Sequence, residues 1–514
     1  MEFHAVILCG PGKALTPFSS IRSTGTPKAL LPIANRPMIE YVLEWCDRAF
    51  FPQVTVVCDD DSKDAISGAL EQYKKKREQQ QAALIAEEEG SHGAVPGSVG
   101  ASNNASSGAV ANDTPSNISV VTLTTEHSGE ILHHLYKTST LKKFQNFVLL
   151  PCDFVTDLPP QVLIEAYRNK SESDLGLLVH YRNQFDNIED KKSKIFKKNY
   201  TIYTDVDDGQ TRLLDIMSSE DVDFHKALQL RTQMCWRHAN STVATKLLNS
   251  CIFFGSGELI FPIFENPQEK FTDSYFRHRS ATKVIRDLAK RSWKHSEPRE
   301  NVGFLILPQQ ATFFRINNTP VFMEANRYFM KLQASSRAQQ QHAATTAAQS
   351  SGQQPPKDKN SANVGADSLV GHATTLDEKT TVKRTVVGTD CKIGKRVKLT
   401  GCVILNNVTI EDDVHLENCI VGNNVIIHSK ARLTACNIES TLEVAKGTQA
   451  KGESLLCLSL EGLVAGGDEG DNFAVGSESD SDDYDSEEDD SESGSGSEGE
   501  LDEYGDNSDG LFAY

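Results

Sequence analysis

The sequence has few features of a membrane, secreted or metal-binding protein. No apolar run approaches the roughly 18 residues that cross a bilayer, and the first residues lack the basic and apolar regions of a signal peptide. None of the 11 cysteines is spaced as CxxC, and most lie in apolar runs, which argues against a zinc site or a disulfide framework. We therefore expect a soluble, cytosolic protein without a bound metal.

A general surplus of charge is also missing. The net charge of −19 comes from one region, because residues 468–509 contain 19 Asp and Glu and no Lys or Arg. Subtracting, 71 − 19 leaves 52 acids against 52 bases in the rest of the chain. A neutral body offers no general attraction for nucleic acid or for an anionic membrane. Residues 458–514 are predicted to be an acidic, disordered tail.

The N-terminal part of the chain alternates strand and helix patterns. The runs AVIL (5–8) and QVTVVC (53–58) are typical of buried strands, and RPMIEYVLEWCDRA between them has the apolar period of a helix. This alternation predicts an α/β, Rossmann-like domain over residues 1–334. Compositional bias predicts a low-complexity insertion at 74–117 and a linker at 335–363.

A different rhythm begins at residue 364. Apolar residues recur there every six positions, in the ladders Val364–Val370–Leu376–Val382, Val387–Ile393–Leu399–Leu405 and Cys402–Val408–Val414–Ile420–Ile426. A six-residue period fits neither an α-helix nor an ordinary strand, and it indicates hexapeptide repeats that coil into a parallel β-helix. We predict a left-handed β-helix over residues 364–457, with each ladder pointing inward.

The loop after the first strand has the composition of a phosphate-binding loop. Gly10 and Gly12 would let backbone N–H groups approach an anion, although Pro11 between them has no N–H to donate. Further along, Lys28 lies in PKALL, and Asp153 ends the apolar run FVLLPCD. These residues make a candidate nucleotide pocket of Gly10, Gly12, Lys28 and Asp153. Two alternatives remain open, namely that Lys28 is a solvated loop lysine and that Asp153 is a turn residue or a helix cap.

CGPGKAL and PKALLPIANRPMI resemble the signature of sugar-nucleotide-forming nucleotidyltransferases, AGGxGTRL followed by PKPLLPVxxxPMI. The resemblance implies that Lys28 matches the family's phosphate-binding lysine and Asp153 its metal-binding aspartate. However, the loop is one residue short, and Lys13 and Ala14 stand where the family has its threonine–arginine pair. A lysine cannot reproduce the fork geometry of arginine. The pocket is therefore expected to be vestigial, with no catalytic residue, no metal and no cofactor.

Further motifs resemble a family that joins this domain to a hexapeptide β-helix, the gamma subunits of the exchange factor for translation initiation factor 2. They are LPCDFVTDLPPQVL, TKLLNS, AKRSWKHSEPRE, EANRYF and VGADSLVG with VKRTVVGTDCKIG. The resemblance implies a non-catalytic subunit that pairs directly with an epsilon subunit and joins alpha, beta and delta subunits. Such an assembly exchanges GDP for GTP on initiation factor 2 and responds to the phosphorylated factor. It implies no direct contact with nucleic acid or membrane.

The epsilon subunits of this family add a helical exchange domain. The residues after Cys457 are mostly acidic and low in apolar content, so we expect no such domain here. Two other functions remain open at this point. One is an active sugar-nucleotide pyrophosphorylase of the GDP-mannose type, which would require the shortened loop to bind a triphosphate. The other is a regulatory subunit that binds a nucleotide without turnover.

Overall fold

The computed structural model describes residues 3–91, 117–125, 127–138, 140–141, 146–185, 196, 199–205, 210–266, 269–295, 299–347 and 363–457, with the side chains of 80–91 and 336–347 excepted. The predicted tail, 458–514, lies outside the described residues, as does much of the predicted insertion and linker. The helices are α1 (Met38–Arg48), α2 (Lys63–Ser91), α3 (Ser128–Lys137), α4 (Pro160–Arg168), α5 (Ser219–His225), α6 (Thr232–Arg237), α7 (Gly257–Glu265), α8 (Asp273–Arg277), α9 (Ala281–Lys294) and α10 (Thr319–Ala347).

The strands of the N-terminal domain come first in the chain. They are β1 (Phe3–Leu8), β2 (Pro32–Ile33), β3 (Arg36–Pro37), β4 (Gln53–Cys58), β5 (Asn117–Thr122), β6 (Asn146–Pro151), β7 (Phe154–Thr156), β8 (Asp174–Arg182), β9 (Asn199–Asp205), β10 (Thr211–Ser218), β11 (Ser241–Ala244), β12 (Leu247–Ser256), β13 (Asn301–Ile306) and β14 (Phe313–Arg315).

A ten-stranded mixed sheet forms the centre of this domain, in the order β11-β9-β10-β13-β8-β12-β6-β1-β4-β5. Strands β6, β1, β4 and β5 are parallel neighbours, and β12 joins β6 and β8 in antiparallel pairing. Apolar clusters cover both faces of the sheet because β1, β4 and β6 carry apolar residues on both sides. Within the described part of the chain, none of the helices combines the length and the hydropathy that a bilayer crossing requires.

Two helices extend into the segments that composition set apart. Helix α2 ends at Ser91, inside the predicted insertion, and α10 ends at Ala347, inside the predicted linker. Gln and Ala are abundant in both segments, and Lys and Glu in the first, and all four are good helix formers. A biased composition therefore did not distinguish a linker from the continuation of a helix.

The C-terminal part is a parallel β-helix of three sheets. Its strands are β15 (Asn363–Val364), β16 (Leu369–Val370), β17 (Thr375–Leu376), β18 (Thr381–Lys383), β19 (Val386–Val387), β20 (Lys392–Ile393), β21 (Lys398–Thr400), β22 (Val403–Ile404), β23 (Thr409–Ile410), β24 (His415–Glu417), β25 (Ile420–Val421), β26 (Ile426–Ile427), β27 (Arg432–Thr434), β28 (Asn437–Ile438), β29 (Glu443–Val444), β30 (Gln449–Lys451) and β31 (Ser454–Leu455). The predicted fold class, an α/β domain followed by a hexapeptide β-helix, is confirmed.

The predicted inward ladders are wrong at several positions because, after the first strand pairing, each coil has 17 residues rather than 18. Paired residues on successive coils, such as Leu399 and Leu416, are separated by 17 positions. Three steps of six residues advance 18 positions, so a ladder with that step passes the equivalent position on the next coil by one residue. The interior residue is Cys419 rather than Ile420, and Ile426 is 40% exposed. At the open first coil, the predicted interior residues Val364 and Val370 are exposed as well.

Two of the misassigned residues, Leu405 and Ile420, have a different role, which is to hold the two domains together. With Val403 they belong to an apolar cluster shared with the N-terminal domain, whose members include Leu15 and Phe18. These side chains point outward from the β-helix and are nevertheless almost fully buried. The β-helix therefore packs directly against the segment that follows the glycine loop and against helix α10.

Candidate functional site

The candidate pocket lies at the carboxyl ends of β1 and β6. These neighbouring parallel strands pair Leu8 with Pro151, so that the glycine loop and Asp153 leave the sheet at the same edge. In open α/β sheets this edge is where ligands bind. The sheet topology therefore brings together two parts of the pocket that are about 140 positions apart in the chain.

Gly12 and Lys28 are in direct contact. Gly12 has a φ of +77°, and a Cβ atom there would lie 3.1 Å from the Cβ of Lys28 and 3.2 Å from the Cβ of Ser19. Only glycine fits this position without strain, because φ is positive and the space is taken by the lysine stem. Gly10, in contrast, is exposed and has open space around it. The structure thus brings Gly12, Lys28 and Asp153 together and leaves Gly10 apart.

Asp153 is completely buried and is paired with two cations. The Nζ of Lys28 lies 2.7 Å from its Oδ2. Arg315 donates from Nε to Oδ1 at 2.9 Å and from Nη2 to Oδ2 at 3.0 Å. Strand β14 carries Arg315 to this point because it pairs with β7, directly after Asp153. We refer to Lys28, Asp153 and Arg315 as the charge triad.

The electrostatics of the charge triad favour its ionised form. Burial by itself would raise the pKa of the Asp153 carboxyl, but the cations of Arg315 and Lys28 outweigh burial and hold that pKa well below its usual range. For Lys28, burial acts to lower the pKa, and the attraction of Asp153 reverses this and raises it. All three groups are therefore charged at neutral pH, and the triad has a net charge of +1.

The residues present do not fit a magnesium ion. Mg²⁺ binds through carboxylate oxygens and water, and both oxygens of Asp153 already accept hydrogen bonds from cations. A dication would also be repelled by Lys28 and Arg315. In the part of the chain that the structure describes, no group of three or more His, Cys, Asp or Glu side chains is arranged to hold a metal.

The glycine loop itself is packed against the rest of the protein. Gly12 is followed by one turn of 3-10 helix, Lys13–Leu15, in which Lys13 is exposed and Leu15 is buried. The carbonyl of Ala14 accepts a hydrogen bond from the hydroxyl of Thr319 at the start of α10, at 3.4 Å. The residue at the family's arginine position therefore faces the domain's own helix.

A second charged contact ties the segment after the glycine loop to the β-helix. Arg22 donates to both carboxylate oxygens of Glu439, from Nε at 2.7 Å and from Nη2 at 2.8 Å. Thr24 and the backbone N–H of Cys457 also donate to this carboxylate, which is 1% exposed. Burial raises the pKa of Glu439, and the contacts with Arg22, Cys457 and Thr24 together lower it below its usual value.

Arg315, Arg22 and Glu439 were not identified from the sequence. Arg315 left a weak signal, because an arginine within the short apolar run FFRI requires a buried partner. The identity of that partner, 162 positions away, could not be read from the sequence. Glu439 had no local signal, since it lies among alternating polar and apolar residues of the repeats.

Comparisons with known proteins agree with this architecture. The family model described as "EIF2B subunit epsilon LbH domain" matches residues 353–450. Translation initiation factor eIF2B subunit gamma of Schizosaccharomyces pombe (strain 972 / ATCC 24843) is 26% identical over 408 residues, which cover 74% of this chain and 74% of that protein. Both comparisons confirm the resemblance found in the sequence: the chain is similar to an eIF2B gamma subunit, and the region of its β-helix is similar to the LbH domain of eIF2B epsilon subunits.

Proposed function

We propose that the protein is a non-catalytic, gamma-type subunit of an eIF2B-like guanine-nucleotide exchange factor and acts in the cytosol. The similarity to an eIF2B gamma subunit supports the assembly, and the charge triad supports the loss of catalysis. In this role the chain pairs with an epsilon subunit and joins alpha, beta and delta subunits. The complex exchanges GDP for GTP on initiation factor 2 and responds to its phosphorylated form.

The non-catalytic part of the proposal rests on Asp153, because both of its carboxylate oxygens are paired with cations. A nucleotidyltransferase needs a carboxylate for its metal and a free cation for the departing pyrophosphate. Here the carboxylate of Asp153 is ion-paired with Lys28 and Arg315. Neither the carboxylate that would bind the metal nor the lysine that would bind the phosphate is therefore free. The former pocket then serves to position the segment that packs against the β-helix.

Reconstitution of nucleotide exchange tests the proposal. The chain would be co-expressed with the epsilon subunit of the same organism, and release of labelled GDP from initiation factor 2 would be measured. We expect this chain alone to release no GDP from initiation factor 2, and we expect the pair to release GDP faster than the epsilon subunit alone. No complex with epsilon, or equal exchange rates with and without this chain, would contradict the proposal.

A separate assay addresses catalysis. The purified chain is incubated with GTP or ATP, mannose 1-phosphate or glucose 1-phosphate, and magnesium, and pyrophosphate release is followed. We expect no release above the rate of a matched sample with Asp153→Asn. Steady release that disappears in the Asp153→Asn variant would identify an active pyrophosphorylase and would overturn the non-catalytic role.

A further inference from the structure

One face of the β-helix has a column of basic side chains on adjacent strands. Lys398 on β21, His415 on β24 and Arg432 on β27 are paired in register, so that each lies directly above the next. Neighbouring strands are about 4.8 Å apart, which places Lys398 and Arg432 roughly 10 Å from each other on the surface. We call these three residues the basic column.

The two permanently charged members of the basic column, Lys398 and Arg432, have no carboxylate partner among the described residues. Both side chains are exposed. Glu417 is exposed on the strand of His415, two positions along. Burial and the charges of Lys398 and Arg432 lower the pKa of His415, and Asp413 opposes this only partly because Asp413 is itself paired with Arg396. At neutral pH the charge of the column therefore comes from Lys398 and Arg432, and His415 adds to it as the pH falls.

We propose that the basic column is a docking site for an acidic, extended polypeptide segment of a partner protein. Charge complementarity selects an anion, and the column's length of roughly 10 Å matches three or four residues of an extended chain. A single-stranded nucleic acid is the less suited anion, because residues 363–457 contain no Phe, Trp or Tyr on which bases could stack. The inference is independent of the function proposed above.

Peptide binding tests the docking site. Fluorescein-labelled octaglutamate is titrated into the full-length chain, and anisotropy is measured at low salt. We expect binding that weakens about tenfold in the double variant Lys398→Gln/Arg432→Gln, because each exposed ion pair contributes a factor of roughly 1.4 to 5. The matched control is Lys392→Gln, an exposed lysine on β20 of a different sheet, and it should bind as the unaltered chain does.

A second readout locates the peptide on the column. The pKa of His415, followed by NMR of histidine-labelled protein, should rise by roughly half a unit to one unit when octaglutamate binds. An unchanged pKa, or equal weakening in Lys392→Gln, would overturn the docking site. So would tighter binding of oligouridylate. Octaglutamate binding that occurs only after removal of residues 458–514 would also overturn it, because the occupant would then be the chain's own acidic segment.

Discussion

Replacing Asp153 with asparagine should make the N-terminal domain much less stable. The variant keeps the shape of the side chain but removes the only negative charge of the charge triad. The side chains of Lys28 and Arg315 are 9% and 14% exposed, so water cannot replace the lost carboxylate. Breaking a buried ion pair by removing one partner costs about 3–5 kcal/mol. We expect the free energy of unfolding to fall by about that amount.

The matched control is Asp59→Asn. Asp59 follows β4 in the same sheet, but burial and the neighbouring Asp61 and Asp60 raise its pKa rather than lower it. Removing its charge relieves unfavourable interactions, so the change in stability should stay within about 0.5 kcal/mol of zero or be favourable. Urea unfolding can be followed by tryptophan fluorescence, because buried Trp45 packs edge-on against Phe154, with ring centroids 5.5 Å apart.

The pH dependence of the free energy of unfolding gives an independent check that the charge of Asp153 stabilises the fold. The folded pKa of Asp153 is lowered below the ordinary value of about 3.9, so its stabilising effect is fully present above that pH. The effect is lost as pH falls toward the folded pKa. The stability difference between the unaltered chain and Asp153→Asn should therefore shrink below about pH 4. A difference under about 1 kcal/mol at neutral pH would refute the assignment of the charge triad as a buried structural ion pair.

Three further outcomes follow from the contacts between the domains and from the loop. Ile420→Asp should lower the free energy of unfolding by about 3–5 kcal/mol, because it places a charge in the apolar cluster between the domains. Hydrogen exchange should then speed up in the segment after the glycine loop, while the inner coils stay protected. Ile426→Asp is the control and should have little effect, because Ile426 is exposed. Glu439→Gln weakens the contact with Arg22 and should speed proteolysis of residues 19–26. Proteolysis at the rate of the unaltered chain would contradict a role of this contact in domain docking. Ala14→Arg should not restore pyrophosphate release in the assay above, and any restored turnover would show that the shortened loop still binds a triphosphate.

Local patterns predicted the elements of the N-terminal domain well. The run QVTVVC is strand β4, and RPMIEYVLEWCDRA contains helix α1, because buried strands and amphipathic helices leave their period in the sequence. The β-helix was predicted as a class, but the inward register was wrong at Ile420. A coil of 17 residues shifts the phase by one position per turn, and outward residues that bind another domain are as apolar as inward ones.

The candidate site was predicted only in part. Lys28 was identified by its motif PKALL and Asp153 by its position at the end of an apolar run, and the structure places their charged groups 2.7 Å apart. Their third partner, Arg315, reaches them through a long-range strand pairing that no local pattern encodes. The acidic segment lies outside the described residues, so the tail remains a prediction. The loss of catalysis likewise remains a proposal, supported by the ion pairs of Asp153.

Affinity purification of the tagged chain from its own cells, followed by mass spectrometry of the co-purifying proteins, tests the central claim most directly. The account predicts recovery of an epsilon-type subunit in amounts equal to the tagged chain, together with alpha, beta and delta subunits and initiation factor 2. Recovery of the chain alone, or of enzymes of sugar-nucleotide metabolism without any eIF2B subunit, would contradict it.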